Sequence, residues 1–205
     1  MNPNTTLTFV DFQNDFVAPK GKLTFDNGKG DVKLIKKIED FFKKLPNSFF
    51  ANAIVTYDTH HLDTYHLTNE AKHFPPHCIE GTKGWNLAIS QQLIESKAKN
   101  IQLLKKSTYD MWAATIDKVN MNIIKNTKEV VLFGVASDIC NKAALLGWLA
   151  HNVKIIIIDD LTRGIFKQTA QVLKEEPFAT EVSKRKIKLI SSQAFLNQLK
   201  ERSKT

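Results

Sequence analysis

Three reactive side chains stand far apart in this chain: Asp11 at the end of "TLTFVD", Lys106 at the end of "IQLLKK" and Cys140 at the end of "GVASDIC". A thiol, a carboxylate and an ammonium group are the parts needed for nucleophilic catalysis through a covalent intermediate. Cys140 follows an apolar run and a short turn, so it falls in the first turn of the next helix, with Ser137 as the expected N-cap. Unpaired backbone N–H groups and the positive end of the helix favour the thiolate there. Asp11 can act as a base toward the thiol and then as an acid toward a leaving group. Each residue also has an ordinary alternative. An isolated Cys is commonly a small buried hydrophobe, an Asp after a strand commonly caps a turn, and a lysine in a basic chain commonly faces water. Lys105 and Lys106 also point to opposite sides of a strand, so the residues alone leave either one facing inward.

A second constellation lies in "YDTHHLDTYHLTNEAKHFPPHC". Of the chain's 6 histidines, His60, His61, His66, His73 and His77 fall here and only His151 lies elsewhere. Asp58 and His60, followed by His77 behind Pro75-Pro76, offer a carboxylate oxygen and two imidazoles, a donor set for Zn²⁺, Fe²⁺ or Mn²⁺. Loops rich in His and Asp also occur without a metal.

The elements that position these groups follow from apolar patterning. Residues 6–11, 52–58, 101–106, 129–136, 153–159 and 186–191 read as six buried strands. Helical patterns cover 31–45, 85–98, 111–126, 138–152, 165–176 and 192–202. Near-continuous apolar strands alternating with helices imply a three-layer α/β/α domain with a six-stranded, mainly parallel sheet. Residues 1–205 are expected to form a single domain. A parallel sheet brings its strand C-termini to one edge, where ligands bind. Asp11, Asp58, Lys105-Lys106 and the "GVASDIC" turn all fall there. The least regular segment, 59–84, is long for a compact domain, which marks it as functional.

Composition narrows the partners. The net charge is +8, but the lysines are scattered and no nucleic-acid motif accompanies them, so no nucleic-acid partner is expected. No apolar run reaches membrane-spanning length, and "MNPNTTLTFVD" lacks a signal-peptide pattern. Cys78 and Cys140 are a poor disulfide framework and read as reduced thiols in a cytoplasmic protein. The expected partner is a small molecule, and self-association into a homo-oligomer is compatible with the composition.

Three motifs carry a family resemblance over nearly the whole chain. "VDFQNDF", "KSTYDMW" and "GVASDIC" resemble the corresponding segments of nicotinamidases and the wider isochorismatase-like cysteine hydrolases, and "FPPHCIEGTKG" is similar to the nicotinamidase metal loop. The resemblance implies a triad of Cys140 as nucleophile, Asp11 as base and acid, and Lys106 rather than Lys105 as their electrostatic support. It implies a cis peptide at Val135-Ala136 and an oxyanion hole from the N–H groups of Ala136 and Cys140. It makes Asp58, His60 and His77 metal ligands, adds Glu70 as a further ligand seen in some members, and gives His66 an accessory place; His61 and His73 match no ligand position. One divalent transition metal is implied, zinc first, with iron or manganese as alternatives. The chain departs from the family pattern at Thr59 and Phe74, where aromatic residues and Trp are common. Phe16, Phe74, Val135 and Ala136 are expected to line the substrate. The implied activity is hydrolysis of nicotinamide to nicotinate and ammonia. A related amidase or carbamoyl hydrolase, or a non-catalytic binding protein on the same fold, are the alternatives.

Overall fold

Six apolar segments become the strands of one sheet in the computed structural model, which describes residues 4–25, 28–113 and 116–202. The chain runs β1 (Thr5–Val10), α1 (Asn14–Val17), α2 (Val32–Lys44), β2 (Phe50–Asp58), α3 (Gln91–Glu95) and β3 (Ala98–Lys106). It continues through α4 (Met121–Asn126), β4 (Glu129–Val135), α5 (Cys140–Ala150), β5 (Lys154–Arg163), α6 (Thr169–Val172), α7 (Phe178–Ser183), β6 (Ile187–Ile190) and α8 (Ser192–Arg202). Every strand pairing is parallel, in the order β3-β2-β1-β4-β5-β6. The order reverses direction between β1 and β4, the switch point at which open α/β sheets form a crevice.

Alternation along the strands builds two cores. Leu7, Phe9 and Phe133 face one side with Phe41, Phe42 and Phe195. Val10, Leu104, Val130 and Leu132 face the other with Leu145 and Trp148. On the first side Phe9 meets Phe133 with ring centroids 5.2 Å apart and Phe42 at 5.4 Å. Truncating Phe9 to Ala would cost about 3–5 kcal/mol, because the transfer and cavity terms add. The stripe Leu34, Ile38, Phe41 and Phe42 of α2 has helical spacing and is buried. Asp31 starts that helix by accepting from the Leu34 N–H at 2.9 Å.

Three expected helices are shorter than their patterns, each for a local reason. Over 85–98 only α3 is helical, because Leu87 bridges Gln13 and the Ala88 N–H donates to the Phe12 carbonyl. Over 111–126 a 3-10 turn at Met111–Ala113 precedes α4, which Asn120 starts afresh by accepting from Asn122 N–H; residues 114–115 of that expectation lie outside the described residues. Over 165–176 only α6 forms, since the N–H groups of Ile165, Phe166 and Lys167 go to the Asp138 carboxylate. Helix α7, beyond Pro177, was not anticipated. No helix among the described residues is long and apolar enough to cross a membrane.

Candidate active site

Strand register sets the first half of the site. Asp58 and Lys106 are direct partners across β2 and β3, and Asp11 follows β1 immediately. Asp11 adopts φ of 44°, an uncommon left-handed conformation for a non-glycine residue. Beside it, Gly134 has φ of 126°, and a side chain there would strike the Val10 carbonyl, so only glycine lets β4 approach β1 this closely.

The three reactive groups meet in the interior. Lys106 Nζ lies 2.6 Å from Asp11 Oδ2, 3.7 Å from Cys140 Sγ and 3.8 Å from Asp58 Oδ1. It also donates to the Thr108 carbonyl at 3.0 Å. Thr56 Oγ1 donates to Asp11 Oδ1 at 2.6 Å and accepts from the Asp11 N–H at 3.1 Å. Asp11 and Lys106 are fully buried, whereas Lys105 points outward and pairs with Glu80. Pleating thus resolves which lysine faces in.

Burial governs the protonation of these groups. It raises Asp11 above the usual carboxylate range, against the pull of Lys106 and with a further push from Asp58. Burial opposes the charge on Lys106, but Asp11 and Cys140 outweigh it and hold the ammonium protonated. The Cys140 thiol is pushed well up by burial, with Lys106 acting in the opposite direction and a hydrogen bond to Asp11 adding to the rise. Burial thus opposes the thiolate that the helix end alone would favour. Cys140 does begin α5, but Ser137 is not the cap. Ile139 occupies that position without a side-chain bond, and the Ser137 hydroxyl instead accepts from Thr169 Oγ1 at 3.0 Å. The Val135-Ala136 peptide is cis.

The second half comes from the loop after β2. The strand end is fixed by Gln13, whose side chain accepts from the Asp58 N–H and donates to the Asp58 carbonyl, both at 2.8 Å. Thr59 is buried and accepts from Trp85 Nε1 at 3.0 Å, so Trp85 supplies an aromatic neighbour there. The loop returns to pair His60 with Ile79. Asp58, His60, Glu70 and His77, all buried, then converge with one ligand atom each within 4.8 Å of the others. Asp58 Oδ2 lies 3.2 Å from His60 Nε2 and 3.0 Å from His77 Nε2; Glu70 Oε2 lies 3.4 and 3.3 Å from the same nitrogens.

These residues fit a divalent metal. Four donors at metal bonds of about 2.0–2.2 Å stand roughly 3.0–3.5 Å apart along the edges of a tetrahedron or octahedron, as the two carboxylate oxygens do from the two imidazole nitrogens. The converging atoms are Asp58 Oδ2, His60 Nε2, Glu70 Oε2 and His77 Nε2; the other atoms of three of these groups, Asp58 Oδ1, His60 Nδ1 and Glu70 Oε1, are buried without a hydrogen-bond partner. In the protein without an ion, burial disfavours imidazolium, but hydrogen bonds to Asp58 and Glu70 prevail and push His60 up to about 9 and His77 up to about 10. Asp58 is held far below the carboxylate range: Lys106 and both imidazoles overcome the opposing effect of burial. His77 Nδ1 lies 2.9 Å from the Pro75 carbonyl and 3.1 Å from the Tyr65 hydroxyl, which leaves Nε2 for a metal.

His66 is exposed and is not one of the four converging donors, whereas the neighbouring Tyr65 reaches His77 Nδ1 through its hydroxyl. His61 and His73 are exposed, as bystanders should be. Phe16, Phe74, Val135 and Ala136 line one cavity with Cys140, Asp58, Glu70 and His77. Leu23, Phe25, Tyr109, Ile139 and Ile165 complete its walls and went unread in the sequence. They lie in loops whose approach to the site no local pattern encodes.

Comparison with known proteins places this geometry. The isochorismatase domain family matches residues 5–176. The nicotinamidase of Saccharomyces cerevisiae is 29% identical over 195 residues, covering 78% of this chain and 88% of its own. The pyrazinamidase/nicotinamidase from Streptococcus mutans UA159 superposes with a TM-score of 0.69 at 25% identity, over 91% of this chain and 99% of its own. The pyrazinamidase of Pyrococcus horikoshii, solved in complex with zinc, superposes with a TM-score of 0.62 at 22% identity, over 92% and 99%.

Proposed function

The chain belongs to the isochorismatase family, and from that premise we propose that it is a nicotinamidase, a cysteine amide hydrolase releasing ammonia and nicotinate from nicotinamide. The observation that carries this reading is a shared cavity: Cys140 and the donors Asp58, Glu70 and His77 face one apolar-walled space that suits a flat ring. A fold alone would not choose the substrate; the donor cluster beside the thiol does.

The triad accounts for both halves of the reaction. Asp11 takes the Cys140 proton as sulfur attacks the carboxamide carbon, and Lys106 offsets the negative charge on the pair. Main-chain N–H groups of Ala136 and Cys140 donate to the developing oxyanion, each supplying on the order of 2.7–4 kcal/mol. Asp11 returns its proton to the departing nitrogen as the C–N bond breaks, leaving ammonia and a thioester. Water then attacks the thioester with Asp11 again as base; sulfur leaves and recovers a proton. Asp58, His60, Glu70 and His77 would hold the divalent metal, zinc first by its preference for nitrogen and oxygen donors, with iron or manganese as alternatives. When bound, that ion supplies a Lewis acid for the pyridine nitrogen. Phe16 and Phe74 clasp the ring and exclude water.

Ammonia release from nicotinamide, pyrazinamide and an N-carbamoyl amino acid, with metal analysis of the same preparation, tests the proposal. Turnover of the two aromatic amides is expected. Release from the carbamoyl compound alone would replace this reading with that of a carbamoyl hydrolase.

A further inference from the structure

Leu23, Phe25, Phe74 and Ile165 line both the active cavity and an outer hollow bordered by Lys22, Arg163 and Gln168. They therefore stand between the active cavity and that outer hollow. Two of them are held by dedicated contacts from outside the cavity. The Arg163 guanidinium lies 5.4 Å from the centroid of the Phe25 ring, and its Nη1 is 3.2 Å from Asp31 Oδ2. Asp31 is itself anchored as the cap of α2. Phe25 is thus pinned by a cation–π contact whose cation is tied to a helix end. On the other side, the Ile165 N–H donates to Asp138 Oδ1 at 3.0 Å, while Phe166 and Lys167 donate to Oδ2 at 2.7 and 2.9 Å. Three charge-assisted bonds fix the turn that presents Ile165. The cavity that these residues line encloses about 430 Å³ with its mouth included, toward the lower end of the range of small-molecule sites.

We propose that Phe25 and Ile165 are specificity-determining residues forming a size filter, and that Arg163 and Asp138 are the positioning residues that hold them in place. The filter admits a single aromatic ring bearing only its carboxamide and disfavours rings with a further substituent or a second ring. Its existence is independent of the chemistry inside, but the identity of the excluded substrates rests on the amidase reading.

The test compares alkylation of Cys140 by iodoacetamide and by the bulkier N-phenylmaleimide, followed by peptide mass on the whole protein. Variants are Phe25→Ala, Phe25→Leu, Arg163→Met and Asp138→Ala, each checked for folding by thermal unfolding. The milder Phe25→Leu keeps the test usable if Phe25→Ala does not fold. The maleimide-to-iodoacetamide rate ratio should rise about tenfold in Phe25→Ala and roughly threefold in Arg163→Met and Asp138→Ala, within the range that pocket-size changes give. The same variants should improve kcat/KM for a ring-methylated nicotinamide relative to nicotinamide. Unchanged ratios in folded Phe25 variants overturn the filter, and unchanged ratios in Arg163→Met or Asp138→Ala overturn the positioning role of that residue. A parent protein with the expected alkylation pattern but no hydrolysis of nicotinamide keeps the filter and overturns the amidase reading.

Discussion

Asp11, Lys106 and Cys140 arrive from three elements separated by dozens of residues, whereas Asp58, His60, Glu70 and His77 arrive from one strand end and the loop that follows it. The first group is packed into the rigid edge of a parallel sheet, and its charges answer one another: ammonium against carboxylate, carboxylate beside thiol. The second group brings two carboxylates and two imidazoles into mutual contact, and Asp58 ties it to the first group through Lys106. The reacting half sets its charges against one another, while the donor half brings four ligand atoms to one point. On the proposed function, this division gives bond-making to the sheet edge and substrate capture to the loop.

Substitutions can break the comparison at either half. The largest effect is expected from Cys140→Ala, which removes the nucleophile: turnover should fall roughly 10⁴-fold or more, with metal content and melting temperature close to the parent. Metal loss in that variant would show that the halves are not separable. Lys106→Met leaves Asp11 buried without its cation, which should cost about 3–5 kcal/mol of stability in denaturant titration and lower kcat by about 10²-fold or more. Stability equal to the parent would mean that Asp11 is folded in its neutral form.

The acid limb of the pH profile sharpens the same half. Asp11 must be ionised to accept the thiol proton, so kcat/KM should fall as pH drops through a pKa above the ordinary carboxylate value of about 3.9. The Thr56 hydroxyl bond lowers that pKa by favouring the ionised form. Thr56→Val should therefore move the limb to higher pH; a shift to lower pH would contradict the assignment of the base.

On the donor half, Tyr65→Phe removes the hydroxyl at His77 Nδ1 and should weaken metal affinity by about 10–100-fold, read by competition with a chelating dye, while Cys140 alkylation by iodoacetamide stays at the parent rate. The smallest effect belongs to His66→Ala, which should leave metal affinity and kcat within about threefold, as for a surface change. A larger loss there would give His66 the accessory role that the resemblance implies.

The pattern of what sequence could reveal follows the same division. Strand ends carry polar residues after apolar runs, so Asp11, Asp58, Lys106 and Cys140 stood out, and resemblance selected Lys106 over Lys105 before pleating showed it facing inward. His60 and His77 were framed by a strand end and a Pro-Pro turn. Glu70 lay in an irregular loop and rested on resemblance alone. Tyr65, Gln13 and Phe25 had no legible role, because each acts through tertiary contacts: Tyr65 through His77, Gln13 through the main chain of Asp58, Phe25 through Arg163. Helix extents were overread where side chains such as Asp138 and Asn120 capture backbone N–H groups that a helix would otherwise use. Burial likewise pushes the Cys140 thiol up against the pull of the helix end, an effect that depends on neighbours no local motif contains.

Rapid-quench mass spectrometry of the metal-loaded protein with nicotinamide tests the central claim most directly. The account predicts a nicotinoyl thioester on the Cys140 peptide, absent from the Cys78 peptide, which forms and decays in step with ammonia release. Steady ammonia release with no adduct on Cys140, together with full activity of Cys140→Ala, would contradict it.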